Sequence, residues 1–172
     1  MVKVYDNILS YSICQSLIEL FKTNSPKFTT NNCLSCTLVN VNQVSQDTVR
    51  FLAPYVAELY ERYKKDIKNK YPPPLKFLED FRIKEYDTSG NQKFDEHVDI
   101  TDSYTSTRAI ALLFYLNDND GNTLFPLQDL NIQPVSGRVV IFPPTWEYPH
   151  QGLAPKSNPK YIMSTYIHYG KN

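Results

Sequence analysis

The sequence lacks long hydrophobic runs, has few glycines and carries no excess of charge of either sign. Its longest apolar run spans residues 109–116, far short of the roughly 20 residues of a transmembrane helix, so we expect no membrane partner. Eighteen basic residues balance eighteen acidic ones. This balance disfavours a nucleic-acid partner, because strong nucleic-acid binders usually have a basic excess. With 5 glycines, 12 prolines and 13% aromatic residues, the composition favours strands and turns over a helical bundle.

Cysteine is also scarce. The three cysteines cannot all pair within one chain, and the polar first residues do not resemble a signal peptide. Both observations predict an intracellular, cytoplasmic protein. Cys33 and Cys36 form a C-x-x-C pair, but a structural zinc site needs four ligands, and few candidates remain in this sequence. Two free thiols are therefore the favoured interpretation.

The 172 residues suit a single domain with two parts. Residues 1–74 are predicted to be helical support and loop, since apolar residues recur there at helical spacing, and the polar residues 22–43 are predicted to be loop or short strand. Ser12 is the expected cap of the first helix, and Pro54 is expected to kink the second helix or to mark its start. Residues 75–172 are predicted to be strands separated by turns. The expected fold is mainly β, with a jelly-roll core (a double-stranded β-helix) buttressed by the N-terminal helices.

Four stretches in the second part predict strands: residues 81–86, 108–116, 137–142 and 160–169. The stretch 108–116 is apolar on both faces, so it is predicted to be a central, buried strand.

Two of the three histidines occupy positions typical of metal ligands. In His97-Val-Asp99 the first and third side chains point to one face of an extended segment. His150 follows the predicted strand that ends at 143–144, and a sheet that folds back would bring it to the same point. Two histidines and one carboxylate leave coordination positions open, as in non-haem Fe(II) sites that bind a co-substrate and dioxygen. For His97 and Asp99 alone, the alternative is a solvated turn pair.

Lys160 opens the last predicted strand, and no acidic residue shares its stretch of strand. A buried ammonium group needs an anion, which a bound carboxylate would supply. The alternative is a lysine that extends to solvent at the strand end.

In this order, these residues resemble the motif set of the Fe(II)- and 2-oxoglutarate-dependent dioxygenases, most closely the prolyl 4-hydroxylase-like branch. The segment from Tyr86 to Gly90 is similar to the family's Tyr-x-x-Gly motif, with one extra residue. The segment that ends in Tyr115-Leu-Asn resembles its buried strand. Residues 120–126 are similar to its Gly-Gly-x-Thr-x-Phe turn, with Asp120 in place of the first glycine.

The resemblance implies a metal site and a co-substrate pocket. It implies that Fe(II) is bound by His97, Asp99 and His150, and that 2-oxoglutarate and O2 are co-substrates. Lys160 would pair with the distal carboxylate of 2-oxoglutarate, and Tyr115 would share that carboxylate because lysine is a point charge rather than a fork. The other implied pocket residues are Tyr86, Ser164 and Tyr166. Prolyl hydroxylases often have tryptophan at the last of these positions.

Other residues have two interpretations each. Arg108 either contacts substrate or caps the charged edge of its strand. Trp146, the only tryptophan, either packs on the core or lines the substrate entrance. His168 is expected at the surface or the core edge. The polar segments 22–43 and 100–107 are candidate lids.

The leading hypothesis is hydroxylation of a prolyl residue in a peptide or protein, coupled to decarboxylation of 2-oxoglutarate to succinate. One alternative keeps this chemistry but changes the substrate to a free amino acid, another side chain or a small metabolite. A nucleic-acid demethylase is disfavoured by the zero net charge. Two further alternatives are a non-catalytic jelly-roll binding domain and a zinc hydrolase, although a hydrolase leaves Lys160 unexplained.

Overall fold

The structure is a computed structural model that describes residues 1–25, 36–68, 72, 74–89 and 92–170. Its helices are α1 (Tyr11–Asn24), the one-turn α2 (Val41–Val44), α3 (Gln46–Ile67) and a short 3-10 helix (Pro126–Gln128). Its strands are β1 (Lys3–Tyr5), β2 (Thr37–Asn40), β3 (Phe77–Leu78), β4 (Arg82–Tyr86), β5 (Phe94–His97), β6 (Arg108–Tyr115), β7 (Thr123–Phe125), β8 (Leu130–Ile132), β9 (Val139–Phe142), β10 (His150–Gly152) and β11 (Lys160–His168).

The strands form two antiparallel sheets. The larger sheet has the order β1-β9-β6-β11-β4-β2, and β3 also pairs with β11. The smaller sheet has the order β5-β10-β7-β8. β6 lies between β9 and β11, and nearly all of its residues are buried, which confirms the prediction of a central strand.

Two apolar cores hold these layers together. The helices pack on one face of the larger sheet, where Phe21 of α1 and Leu52 of α3 share a core with Ile83 of β4. The second core lies between the sheets and joins Phe125 of β7 to Phe142 of β9. Burying a side chain of this size contributes about 1.5–3 kcal/mol. The arrangement confirms the predicted jelly roll with supporting helices.

Residues 1–74 contribute strands as well as helices. β1 pairs with β9 through Val4 and Val140, and β2 pairs with β4 through Val39 and Ile83. Both outer strands of the larger sheet therefore come from residues 1–74. β2 lies in segment 22–43, where loop or short strand is predicted, whereas β1 is not predicted, because it is too short to show a periodic pattern.

The helix starts also differ from the expected ones. Ser10, rather than Ser12, caps α1, because its hydroxyl accepts a hydrogen bond from the backbone N–H of Ile13 at 3.3 Å. α3 begins at Gln46 and runs through Pro54, so the proline does not mark its start.

Three other expectations concern the C-x-x-C cysteines, the candidate lid 22–43 and membrane-spanning helices. Cys33 lies outside the described residues, whereas Cys36 is buried. The candidate lid 22–43 lies partly outside them, and its described part contains β2 and α2. None of the helices described is long and apolar enough to cross a membrane.

Candidate metal and co-substrate site

A cavity of about 470 Å³ lies between the two sheets. Its walls include residues of β4, β6 and β11 from the larger sheet and of β5, β7 and β10 from the smaller one. Five of the predicted site residues that line it carry charged or imidazole groups: His97, Asp99, Arg108, His150 and Lys160.

The two histidines meet because β10 pairs with β5 so that His150 lies directly opposite His97. Asp99 follows β5 and turns its carboxylate between the two rings. Its Oδ1 is 3.6 Å from His97 Nε2, and its Oδ2 is 3.7 Å from His150 Nε2. An ion about 2.1 Å from each ligand can join atoms up to roughly 4.2 Å apart. Among the described residues, these three form the one group of potential ligand atoms that lie within 4.8 Å of one another.

Backbone carbonyls fix the tautomer of both histidines. His97 Nδ1 lies 2.8 Å from the carbonyl oxygen of Asp95, and His150 Nδ1 lies 3.2 Å from that of Tyr148. A carbonyl only accepts hydrogen bonds, so each Nδ1 carries the proton. The lone pair of each histidine is then on Nε2, the atom that faces the Asp99 carboxylate, as in histidines that bind metals.

The surroundings favour the protonation states that a metal requires. Burial would raise the pKa of Asp99, but the neighbouring imidazoles of His97 and His150 and the hydrogen bond from the Tyr166 hydroxyl lower it overall. Burial lowers the pKa of His150 and keeps its imidazole neutral. A carboxylate and neutral imidazoles are the forms that bind a metal ion.

Lys160 is a buried cation on the same cavity. Its residue is only 3% exposed, and its Nζ donates to the carbonyl oxygen of Gly121 at 2.5 Å. No carboxylate of the described residues lies within 4 Å of it. Burial lowers its pKa to about 8. This unpaired ammonium fits an anionic ligand.

The neighbours of Lys160 leave room for such a ligand. In the pairing of β11 with β4, Lys160 lies opposite Tyr86, and its Nζ is 5.7 Å from the centre of that ring. A Cβ on Gly152 would lie 3.5 Å from Nζ, so the absence of a side chain there keeps the cavity open. Ser164 is buried and lines the same cavity.

Tyr115 reaches the cavity only through another residue. Its side chain is completely buried, and its hydroxyl donates to Thr123 Oγ1 at 2.7 Å. Thr123 lines the cavity, whereas Tyr115 is not among the lining residues described. Direct sharing of a co-substrate carboxylate by Tyr115 therefore stays a prediction.

Tyr166 makes a contact that strand alternation alone does not reveal. It lines the cavity, as expected, and its hydroxyl donates to Asp99 Oδ1 at 2.8 Å. The distant segments that carry the two residues are thereby joined at the candidate metal site.

Arg108 is held by internal partners. Its Nε and one terminal nitrogen donate to both carboxylate oxygens of Glu79, at 2.9 and 2.8 Å. Its other terminal nitrogen donates to the backbone carbonyl of Asp99 at 2.9 Å. The guanidinium lies 3.9 Å from the centre of the Tyr166 ring. Arg108 therefore supports both Asp99 and Tyr166.

Glu79 is the functional neighbour that the sequence analysis missed. Besides Arg108, it binds Arg82 at 2.7 Å and His168 Nε2 at 2.9 Å. Burial would raise its pKa, but these partners together lower it to about 2. His168 is accordingly a buried member of this network rather than a surface residue. No local pattern around Glu79 signals that its partners come from distant strands.

Trp146 is exposed to solvent. It is 77% exposed, so it does not pack on the core. It is also not among the residues that line the cavity.

Comparisons with known proteins identify a family and a shared fold. A sequence model of the 2OG-Fe(II) oxygenase superfamily matches residues 81–168. Solved structures that are similar in fold include three prolyl hydroxylases. The viral collagen prolyl hydroxylase of Paramecium bursaria Chlorella virus-1, in its 2OG complex, has 20% identity and a TM-score of 0.74, covering 96% of this chain and 94% of its own.

The other two structures are also prolyl hydroxylases. One, from Trichoplax adhaerens, is in complex with a peptide fragment of a hypoxia inducible factor; its identity is 16%, its TM-score 0.76, and the match covers 97% of this chain and 83% of that one. The Pseudomonas putida prolyl-4-hydroxylase has 13% identity and a TM-score of 0.76, covering 97% and 91%. A search of curated protein sequences finds no match.

Proposed function

Because this chain belongs to the 2OG-Fe(II) oxygenase superfamily, we propose that it hydroxylates a prolyl residue in a peptide or protein. The reaction is coupled to decarboxylation of 2-oxoglutarate to succinate. The observation that carries the proposal is the convergence of His97, Asp99 and His150 in a cavity that also holds the unpaired Lys160 ammonium.

The residues present fit the metal and the co-substrate. His97, Asp99 and His150 would hold Fe(II) through two Nε2 atoms and a carboxylate oxygen, a donor set typical of non-haem iron oxygenases. Lys160 would bind the distal carboxylate of 2-oxoglutarate and so gain the counter-ion that its surroundings lack. When bound, iron, 2-oxoglutarate and dioxygen together supply an oxidant that hydroxylates an unactivated C–H bond.

The protein would contribute orientation and exclusion of water. Phe125 stacks on His150 with ring centres 5.3 Å apart, and Phe142 meets the same ring edge-on at 4.8 Å. Both phenylalanines are buried, so they would hold the imidazole and exclude water from the side that they cover. Exclusion of water on that side of the imidazole strengthens the electrostatic interactions of the bound groups.

The prolyl substrate is supported by the structural neighbours, whose names are those of prolyl hydroxylases. One of them is in complex with a peptide fragment. A cavity of about 470 Å³ that opens to solvent is also within the range of sites that bind small molecules or single side chains.

The test is direct. We expect the protein, incubated with Fe(II), 2-oxoglutarate and air, to add one oxygen atom to some members of a proline-containing peptide library, as read by mass spectrometry. Succinate should form in equal amount. Asp99→Ala, which removes the carboxylate ligand, should do neither. Formation of succinate without oxidation of any proline peptide would overturn the prolyl assignment.

A further inference from the structure

One wall of the cavity is unusually cationic, and it is made by β4. Residues alternate along a strand, so Arg82, Lys84 and Tyr86 all face the cavity. The intervening Glu85 faces the other way, where its carboxylate accepts a hydrogen bond from the hydroxyl of Tyr161. Strand alternation therefore directs the cations inward and the carboxylate of this strand outward.

Lys84 has no anionic partner in the part of the chain that the structure describes. None of the carboxylates there lies within 4 Å of its Nζ. Its ammonium lies instead 5.3 Å from the centre of the Phe94 ring, and that ring lies 3.8 Å from the ring of His97. A half-buried ammonium group thus stands one aromatic ring away from the metal site.

Arg82 adds to the positive charge. Its guanidinium binds Glu79, which also binds Arg108 through both carboxylate oxygens. Two guanidinium groups therefore share one carboxylate, and one positive charge of this cluster stays uncompensated.

The other carboxylates near the cavity do not neutralise the positive charge of Lys84 and Arg82. Asp99 is assigned to the metal. The carboxylate of Asp102 is exposed and accepts hydrogen bonds from the backbone and hydroxyl of Thr105. Asp95 pairs with Lys93 at 2.7 Å. With Lys160 neutralised by the co-substrate, the β4 wall stays positively charged.

We propose that Lys84 and Arg82 bind a carboxylate of the substrate close to the carbon that is hydroxylated. The proposal rests on the proposed function and names its substrate class. The carboxylate belongs either to an aspartate or glutamate that neighbours the target residue, or to the free α-carboxyl group of a chain end or amino acid. A charge-assisted hydrogen bond to a half-buried ammonium is stronger than a neutral one, and it weakens as salt rises.

The experiment measures binding separately from turnover. Fluorescent proline peptides are titrated, without oxygen, into the protein loaded with Mn(II) and 2-oxoglutarate, and anisotropy gives Kd. Three peptides differ only in charge. The first has a neighbouring aspartate and an amidated end, the second has asparagine there and a free carboxyl end, and the third has asparagine and an amidated end.

We expect the first or the second peptide to bind about tenfold more tightly than the third, and the preferred one identifies the source of the carboxylate. Lys84→Met, a neutral change of similar length, should remove most of this preference, and Lys84→Arg should keep it. Lys22→Met, at an exposed position of α1, should leave it unchanged. Thermal melting checks that each variant is folded.

Equal binding of all three peptides, or an unchanged preference in folded Lys84→Met, would overturn the proposal. Failure of the proposed function would give a different result. In that case no proline peptide, whatever its charge, would gain an oxygen atom in the mass spectrometry experiment. A carboxylate preference measured by anisotropy would still stand in that case.

Discussion

The hydroxyl of Tyr166 lies 2.8 Å from Oδ1 of Asp99 and donates a hydrogen bond to it. Tyr166 belongs to the last strand and Asp99 to the segment after β5, so the bond joins distant parts of the chain at the candidate metal site. The bond is made to Oδ1, while Oδ2 lies 3.7 Å from His150 Nε2, and the bond fixes the orientation of the carboxylate toward both histidines. The geometry assigns Tyr166 the role of a positioning residue for this ligand.

Removing that hydroxyl should weaken metal binding. We predict that Tyr166→Phe lowers affinity for Fe(II), or for Mn(II) as a stable substitute, by about tenfold, because residues that orient metal ligands typically contribute that much. Isothermal titration calorimetry without oxygen measures the change. The matched control is Tyr161→Phe on the same strand, whose hydroxyl bonds Glu85 on the opposite face. Equal effects of the two changes would show that Tyr166 acts only on overall stability.

Binding of 2-oxoglutarate should depend on pH through Lys160. Burial lowers the pKa of this ammonium to about 8, and a bound carboxylate would raise it again by stabilising the charged form. Above pH 8, binding must therefore take up a proton. The Kd for 2-oxoglutarate should rise by up to about tenfold per pH unit there.

Lys160→Arg is the control, because a guanidinium stays protonated throughout this range. Its Kd, measured anaerobically with Mn(II), should be nearly independent of pH between 7 and about 9.5. The same pH slope in this variant as in the unchanged protein would assign the titration to another group.

Glu79 should matter for stability as well as for the site. We predict that Glu79→Gln lowers the free energy of unfolding by about 3 kcal/mol, since it leaves the buried Arg108 without its counter-ion. The contribution has a defined pH window. The pKa of Glu79 is lowered to about 2 in the folded protein, so its stabilisation is complete above the ordinary value near 4.5 and is lost as pH falls toward 2.

Urea unfolding of both proteins at pH 7 and pH 3 checks this prediction, and the difference between them should shrink at the lower pH. Glu61→Gln is the comparison. The Glu61 side chain is exposed and pairs with the half-buried Lys64 on α3, so this substitution should lower the free energy of unfolding by less than about 1 kcal/mol. If Glu79→Gln lowered the free energy of unfolding no more than Glu61→Gln does, the buried network around Glu79 would not contribute to stability as predicted.

The predictable part of the molecule follows from local patterns. The apolar stretch that forms β6 was recognisable because a central strand is buried on both faces. His97 and Asp99 were recognisable because their spacing places them on one face. The order of the motifs also indicated His150 and Lys160. Spacing alone could not predict that His150 lies opposite His97 or that Lys160 lies opposite Tyr86.

The remainder depends on contacts between distant segments. β1 and β2 are too short to show a period, and only their pairing partners define them as strands. The link between Glu79 and Arg108, and the one between Tyr166 and Asp99, join residues that no local pattern connects. Such buried polar contacts are fixed by the register of neighbouring strands, which a single sequence does not display.

The most direct test of the metal site is an anaerobic titration of the protein with Fe(II) and 2-oxoglutarate, followed by visible absorption. We predict a weak charge-transfer band that saturates at one equivalent of each, and that is lost in His150→Ala while the variant keeps its circular dichroism spectrum. If the unmutated, folded protein gave no band, or if His150→Ala gave the same band, then His97, Asp99 and His150 would not bind iron together and the account would be wrong.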